Sequence, residues 1–438
     1  MLMEVKPFKA FRFDEEVVGD VGKCTAPPYD VISPDQQARL YQKSEYNIIR
    51  ITKGKTTDSD NASNNQYTRA ADYLNSWIKT GVLKQDATDT IYGYVQDFVL
   101  SGTQRQRFSF IALARLEEFG KTVRPHEETF EEAKIDRLNL KRATAAKLGL
   151  VFMLYEDPQE VAEKIIERAA RQEPLIDFVD DRDARHRLFA ITDEAQTNAF
   201  SEVMSDKSCI IADGHHRYET GLSYYKETAN PAAAWQMMAF VNSRQKGLIV
   251  LATHRLVGNL ENFNARKLVD GLEQSFEISK FPFDSPPGKA DARQKLFAKM
   301  RTEHDSDRNA FGIYTGDNAF YAAVLKDKNA MDTAAPNMSS LWKSLDVCVL
   351  HKLILERLLG VGERKLTSGN NVEYVEDIDN AVDESIVRVD EGEKQAAFFM
   401  NPVKMQQLRM VTDAGEKMPR KSTYFYPKIH TGLTINKL

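Results

Sequence analysis

The chain has 438 residues, enough for two or three domains with sizeable cores. Its hydrophobic content of 42%, charged content of 28% and net charge of −5 are typical of a soluble globular protein and give no general attraction to nucleic acid. The sequence contains no stretch of about 18 apolar residues, so no membrane helix is predicted. The first residues also lack the apolar core of a secretory signal. The cysteines are too few and too scattered for a disulfide framework or a cysteine metal site: Cys24, Cys209 and Cys348. We therefore expect a cytoplasmic, reduced protein with neither a membrane nor a nucleic-acid partner.

Residues 26–34 contain three prolines and predict a stiff, extended segment. Asp30 or Ser33 is expected to cap a helix that begins at Pro34 and continues to Gln42. This structural interpretation is the main one, and a substrate-facing role for Tyr29 or Asp30 is the alternative.

A mobile surface loop is predicted at residues 56–65, where every residue but one is polar. The apolar spacing that follows predicts a helix ending at Gly81. Residues 91–99 and 107–116 then predict two strands joined by a Ser-Gly turn.

The segment 124–142 combines a histidine, carboxylates and arginines. Because Pro125 keeps Arg124 extended, His126 and Glu127 are expected where a strand passes into a loop. A carboxylate beside a histidine suits a general base for a hydroxyl nucleophile. Alternatively, Glu127 belongs to an acidic helix start that complements the helix dipole.

The most informative stretch is residues 210–220, where an apolar run ends at Asp213 and Gly214 and a helix begins. A strand that breaks at glycine and opens into a helix leaves backbone N–H groups available to an anion. His215, His216 and Arg217 make phosphate the favoured anion. A structural joint whose histidines satisfy local hydrogen bonds is the alternative.

Two further polar groups lie nearer the C-terminus. Thr253, His254 and Arg255 follow an apolar run, so a cleft-facing role and a structural one are both open. Lys421 belongs to a donor-rich run that could bind phosphate oxygens, although it lacks the glycines of a Walker loop.

Strands and helices interleave along the chain, which predicts a mixed α/β or α+β fold without fixing the strand order. We expect an N-terminal α/β region (1–120), a phosphate-loop core (121–260) and a C-terminal α/β region (261–438), with a candidate insertion at 261–340. Further predicted elements are strands at Val151–Tyr155, residues 232–242, residues 248–253 (beside the preceding strand), Ala310–Tyr314 and Ala319–Leu325, and helices at residues 158–171, 293–300, 345–359 and from the Asn401-Pro402 cap to Val411.

Zinc is not expected at the paired histidines. Adjacent histidines point to different faces of a helix, whereas the zinc helix motif needs positions i and i+4. A zinc site would have to combine His216 and Glu219 with the distant His126 or His254.

As an ordered set, these motifs resemble the prokaryotic domain of unknown function 1015 family over nearly the full length. The set comprises Pro7-Phe8-Lys9-Ala10, Pro27-Pro28-Tyr29-Asp30-Val31-Ile32-Ser33, Pro125-His126-Glu127, Lys134, Asp136-Arg137-Leu138, Ala212-Asp213-Gly214-His215-His216-Arg217, Thr253-His254-Arg255, Met418-Pro419 and Pro427-Lys428.

The Asp-Gly-His-His-Arg element also resembles that of ParB/sulfiredoxin-type free-serine kinases. The resemblance implies a ParB/sulfiredoxin-like nucleotide-binding core in which Asp213–Arg217 bind nucleotide phosphates and Glu127 activates the serine hydroxyl, with His126 beside it. The implied cofactors are ATP or ADP and Mg²⁺, the ion being held by Asp213 or Glu127. Arg124, Arg255 and Lys421 are candidates for the substrate carboxylate, together with Arg137.

Our leading hypothesis is a nucleotide- and Mg²⁺-dependent kinase that converts free L-serine to O-phosphoserine. The alternatives are a nucleotide-binding regulatory or partitioning-like protein without phosphoryl transfer, and a metal-dependent hydrolase built on the histidines. The oligomeric state is not predicted.

Overall fold

The computed structural model describes residues 3–120, 122–129, 131–327 and 329–438. The strands are β1 Val5–Lys6, β2 Phe11–Phe13, β3 Leu83–Gln85, β4 Ile91–Leu100, β5 Thr103–Arg115, β6 Val123–Pro125, β7 Ala146–Lys147, β8 Val151–Tyr155, β9 Ile176–Val179, β10 Arg185–Ile191, β11 Cys209–Asp213, β12 Trp235–Asn242, β13 Ile249–Leu251, β14 Thr253–Val257, β15 Phe276–Pro282, β16 Ala310–Tyr314, β17 Ala319–Leu325, β18 Val372–Glu376, β19 Ala396–Phe399, β20 Tyr424–Tyr426 and β21 Asn436–Lys437.

The α-helices are α1 Glu15–Val18, α2 Pro34–Lys43, α3 Ile49–Thr52, α4 Gln66–Lys79, α5 Glu131–Thr144, α6 Val161–Ala169, α7 Glu194–Met204, α8 His215–Thr228, α9 Ala265–Leu272, α10 Pro286–Asp305, α11 Ala330–Ala334, α12 Ser340–Lys343, α13 Asp346–Val349, α14 Glu363–Ser368, α15 Ala381–Asp390 and α16 Met405–Asp413. Short 3₁₀ turns lie at Val21–Lys23, Tyr29–Val31 and Pro231–Ala234, and a π-helical stretch lies at Leu350–Glu356. Within the described residues, no helix is both long and apolar enough to cross a membrane.

The chain divides into two compact units. The first comprises the residues up to Ile249 together with Phe425–Leu438, and the second comprises Val250–Tyr424. This division differs from the three regions expected from the sequence. Position 120 is not a border between units, because β5 before it pairs with β12 after it.

The first unit is organised by a mixed sheet with the order β6-β11-β8-β12-β5-β4-β10-β9, and β1 pairs with β5. The pairs β6/β11 and β8/β12 are parallel, and the other pairs are antiparallel. Its core includes Phe110 of β5, whose ring centroid lies 4.8 Å from that of Phe240 and 4.7 Å from that of Phe200. The mixed α/β prediction is confirmed.

Two local features predicted for the first unit are confirmed: the cap of α2 and the hairpin turn after β4. The Ser33 hydroxyl accepts a hydrogen bond from the Gln36 N–H at 3.2 Å and caps α2. The predicted hairpin is β4/β5, and its turn places Ser101 and Gly102 at φ of 50° and 72°, a pair of positive values typical of a tight hairpin turn.

Two expectations about neighbouring elements are wrong. The strand after β12 is short (β13) and is not its neighbour in the sheet, because β5 and β8 occupy both edges of β12. The helix expected from Pro402 begins only at Met405. Asn401 does not cap it, because its side chain donates a hydrogen bond to the Ala310 carbonyl at 3.2 Å.

The second unit contains an antiparallel sheet with the order β15-β17-β16-β19-β14-β18. The predicted strands β16 and β17 are confirmed at both ends. Leu296 and Met300 of α10 pack against Phe320 and Phe399 in its core. The helix expected at residues 345–359 is present as α13 and the π-helical stretch that continues it.

The C-terminal residues of the first unit are held by a fully buried arginine on β5. Arg107 donates to the Gln96 side chain at 3.0 Å and to the carbonyls of Tyr426 and Pro427 at 3.3 and 2.6 Å. Burial lowers the pKa of Arg107 to about 10, so the guanidinium remains charged at neutral pH.

We expect Arg107→Leu to lower the free energy of unfolding by about 2–4 kcal/mol, because it leaves buried carbonyls without donors. Chemical denaturation measures the change. Arg115→Leu is the matched control, since Arg115 lies on the same strand but is more than half exposed and pairs with Glu4 at the surface. Equal losses in both variants would contradict this role for Arg107.

Candidate functional site

The site is built at the joint between β11 and α8. The strand buries Ile210, Ile211 and Ala212 and ends at Asp213. Gly214 then adopts φ +91° and ψ 29°, a left-handed conformation that favours glycine, and α8 begins at the next residue. No side-chain hydrogen bond caps the helix, so the positive end of its dipole lies at this joint.

Two cations surround one carboxylate at this joint. The Arg217 Nη2 lies 2.9 Å from Asp213 Oδ2, and the Lys428 Nζ lies 3.5 Å from Asp213 Oδ1. Burial alone would raise the pKa of Asp213, but Lys428, Arg217 and His215 outweigh it and lower that pKa below its usual range. Asp213 is therefore ionised, and the side chains of Asp213, Arg217 and Lys428 together carry a net charge of +1.

One of the N–H donors of the Arg217 guanidinium has no hydrogen-bond partner among the described residues. Its Nη1 donates to the Leu150 carbonyl and its Nη2 to Asp213, but its buried Nε has no hydrogen-bond partner among the described residues. A buried donor without a partner costs about 1–3 kcal/mol, so it favours binding of an external acceptor. Together with the helix dipole, this donor makes the joint suitable for an anion such as phosphate.

Two histidines connect this joint to the end of β6. The backbone N–H of His126 donates to His215 Nε2 at 3.3 Å, and His126 Nδ1 donates to the Ile211 carbonyl at 2.6 Å. Burial lowers the pKa of His126 to about 4, so its ring is neutral at physiological pH. His216 is half-buried, and burial lowers its pKa as well.

Glu127 lies at the same edge of the sheet as Asp213. β6 runs parallel to β11, with Val123 opposite Cys209 and Pro125 opposite Ile211. Both strands therefore end together, and the half-buried Glu127 follows one as Asp213 completes the other. The carboxyl ends of neighbouring parallel strands are a common place for ligand binding.

A small cavity of about 60 Å³ adjoins Arg217 within the first unit. It is lined by Tyr29, Arg137, Lys141 and Lys147, and the Arg137 guanidinium lies 4.0 Å from the Tyr29 ring centroid. Burial lowers the pKa of Lys141 to about 8, and burial lowers that of Lys147 to about 7. Tyr29 thus lies beside the cavity that adjoins Arg217, and its substrate-facing role stays a prediction.

Sequence reasoning did not single out Lys147, and its interpretation of Lys141 as part of a solvated helix face is wrong because Lys141 is buried. Lysines are common on helices and strand ends, and nothing in their local sequence marks burial. Lys428 belongs to the motif set, but its contact with Asp213 joins residues 215 positions apart and has no local signal.

Four predicted substrate-binding residues belong to the second unit: Thr253, His254 and Arg255 are buried on β14, and Lys421 is exposed. The N–H of Met400 donates to His254 Nδ1 at 3.1 Å, and Arg255 Nη2 donates to the Lys421 carbonyl at 3.0 Å. These contacts join elements of the second unit, and a substrate role for these residues stays a prediction. Arg124 lies in the first unit, on β6.

The residues fit a phosphate group better than a magnesium ion at Asp213. Each carboxylate oxygen of Asp213 already faces a cation, so the charges of Arg217 and Lys428 oppose a further cation such as Mg²⁺ at this position. For zinc, the described residues include no group of three ligand atoms within 4.8 Å that contains His126, His216 or His254.

We expect Gly214→Ala to weaken nucleotide binding and to destabilise the fold by about 1–2 kcal/mol, the cost of a left-handed alanine. An added Cβ would also lie 3.1 Å from the Arg217 guanidinium. Gly81→Ala is the matched control, because Gly81 has φ +80° but nothing within 4 Å of its Cβ position. Calorimetric titration with ADP should show weaker binding in the first variant only, and unchanged affinity in both would contradict the assignment.

One comparison with known proteins identifies the family of this chain. The model of the family described as "Protein of unknown function (DUF1015)" matches residues 5–348. No curated protein matches the chain.

Among solved structures, a free serine kinase in complex with ADP has 11% identity and a TM-score of 0.34, and the match covers 69% of this chain and 84% of that one. A conserved hypothetical protein from Pyrococcus furiosus has 12% identity and a TM-score of 0.32, covering 70% and 89%. SbnI from Staphylococcus aureus, with a C-terminal truncation, has 9% identity and a TM-score of 0.34, covering 74% and 87%. At these TM-scores no residue role is carried over from them.

Proposed function

The chain belongs to the DUF1015 family, and we propose that it is a nucleotide-dependent kinase that phosphorylates the hydroxyl of free L-serine to give O-phosphoserine. The observation that carries this proposal is the anion site at the start of α8. There Gly214 leaves the helix uncapped, and Arg217 and Lys428 supply two cations.

The nucleotide phosphates would bind in front of α8. The first-turn amides and the unpartnered Arg217 Nε donate to phosphate oxygens, and Asp213 keeps the guanidinium in place. During transfer, these donors neutralise the charge that develops on the phosphoryl group.

Glu127 would act as the general base. It accepts the serine hydroxyl proton while the serine oxygen forms its bond to phosphorus and the bond from phosphorus to the departing nucleotide oxygen breaks. The neutral His126, fixed by its bond to the Ile211 carbonyl, holds the chain that carries Glu127. Serine as the acceptor rests on the resemblance of the Asp-Gly-His-His-Arg element to that of free-serine kinases.

Two further groups need partners in the site: the serine carboxylate and the magnesium ion. Arg124 and Arg137 are the carboxylate candidates that share a unit with Asp213, and we assign the serine carboxylate to Arg124 because it lies on β6, the strand that leads to Glu127. Magnesium would supply charge neutralisation on the nucleotide phosphates that bring it.

The direct test incubates the purified protein with L-serine, Mg²⁺ and either ATP or ADP, and measures O-phosphoserine by mass spectrometry. D-Serine and a reaction without nucleotide are the controls. Product from L-serine with one of the nucleotides supports the proposal. Nucleotide binding without product would instead support the regulatory alternative, and the absence of both would overturn the phosphate site as well.

A further inference from the structure

A second cluster of polar side chains lies in the first unit and takes no part in the proposed kinase reaction. Asp180 follows β9, His186 lies in β10 and His430 lies in the C-terminal segment after β20. One ligand atom from each residue lies within 4.8 Å of the others, and no second group of this kind occurs in the described ranges.

The distances match the coordination shell of a small divalent ion. His186 Nε2 and His430 Nε2 lie 3.1 and 3.4 Å from the same oxygen of Asp180, Oδ2. Ligand atoms about 2.0–2.1 Å from a tetrahedral zinc ion are about 3.3–3.4 Å apart. An ion could therefore enter between these atoms with little movement of the side chains.

The Nδ1 side of the His430 ring, which is opposite the nitrogen nearest Asp180, is held by a hydrogen bond that favours metal binding at Nε2. Its Nδ1 lies 3.2 Å from the Thr25 hydroxyl oxygen, and that hydroxyl donates its only proton to the Gly22 carbonyl at 3.1 Å. The Thr25 oxygen must therefore accept a hydrogen bond from Nδ1–H. In the neutral ring, Nε2 then directs a lone pair at the Asp180 carboxylate, an arrangement that a cation between them would stabilise.

The His186 ring is held through its Nδ1 and by ring contacts. Its Nδ1 lies 2.5 Å from the Tyr94 hydroxyl oxygen, which would accept a hydrogen bond from Nδ1–H when Nε2 binds a metal. Its fully buried ring stacks on Phe178 with centroids 4.8 Å apart and lies 4.5 Å from the His430 ring. Both rings are thus held with Nε2 towards Asp180.

We propose that Asp180, His186 and His430 bind one divalent transition-metal ion, with Zn²⁺ as the best fit. Two imidazole nitrogens and one carboxylate favour zinc over magnesium or calcium, which prefer oxygen ligands. Three protein ligands leave the fourth tetrahedral position to water or a small anion. The ion fixes the C-terminal segment to the end of β9 and to β10, and this segment also carries Lys428, which contacts Asp213.

The test is a titration of tag-free, chelator-treated full-length protein with Co²⁺ and then Zn²⁺. We expect saturation at a single equivalent, a visible absorption band of tetrahedral Co²⁺, and loss of the band when Zn²⁺ is added. Zn²⁺ should also raise the melting temperature. Asp180→Asn and His430→Gln should abolish the band, whereas His304→Gln, which changes a half-buried histidine of the second unit, should retain it.

A milder variant provides a second test in case Asp180→Asn and His430→Gln do not fold. Thr25→Val keeps the ligands but removes the acceptor of His430 Nδ1–H, and it should weaken Zn²⁺ affinity by about 10- to 100-fold. A wild-type protein without a saturable Co²⁺ band, or a Thr25→Val protein with unchanged Zn²⁺ affinity, would overturn the proposal. Neither readout depends on nucleotide or serine, so failure here is distinct from failure of the kinase assignment.

Discussion

Replacing Arg217 with alanine is expected to weaken ADP binding by about 10- to 100-fold, the loss that follows when charge-assisted hydrogen bonds to a phosphate are removed. Turnover at saturating nucleotide should fall by about a further 100-fold, because the same guanidinium neutralises charge in the transition state. Isothermal titration calorimetry and a steady-state assay of O-phosphoserine formation measure the two effects separately.

The matched control is Arg142→Ala. Arg142 lies on the neighbouring helix α5, is about half exposed and pairs with Glu227. Circular dichroism should show both variants folded, since Asp213 keeps Lys428 as a partner when Arg217 is removed. Similar, mild effects of the two substitutions would count against a phosphate-binding role for Arg217.

Glu127→Gln is expected to lower turnover by about two to four orders of magnitude, the usual contribution of a general base. Nucleotide affinity should stay nearly unchanged, because the amide occupies the same space and the phosphate-binding donors lie on α8. A lower kcat with unchanged ADP affinity would show that Glu127 acts in proton transfer and not in nucleotide binding.

The adjacent Glu128 provides the control for this substitution. It is exposed, so Glu128→Gln changes the same charge one residue away without touching the end of β6. If both variants lose activity equally, the acidic segment acts through its charge on the helix start, which was the alternative interpretation of this cluster.

Local chemistry made parts of the fold predictable. The Ser33 cap, the Ser101-Gly102 turn and the limits of β16 and β17 are decided by residues close in sequence. The break at Gly214 is also local, since a left-handed residue at a helix start favours glycine. These features follow from rules that act over a few positions.

Long-range pairing was not predictable in the same way. Nothing in the sequence near Glu127 shows that β6 lies beside β11, and no local pattern brings Lys428 to Asp213 or His430 to Asp180. The C-terminal residues are held in the first unit by hydrogen bonds from the buried Arg107, and a charged side chain beside Gln106 gives no local sign of its burial. A single sequence carries patterns within elements and little information on which elements meet.

The most direct test of the account is a crystal structure of the protein with ADP bound. The account predicts the β-phosphate in front of the first turn of α8, within hydrogen-bonding distance of Arg217 Nε and with Lys428 beside it. A nucleotide bound elsewhere, with the first turn of α8 unoccupied at saturating ADP, would contradict it.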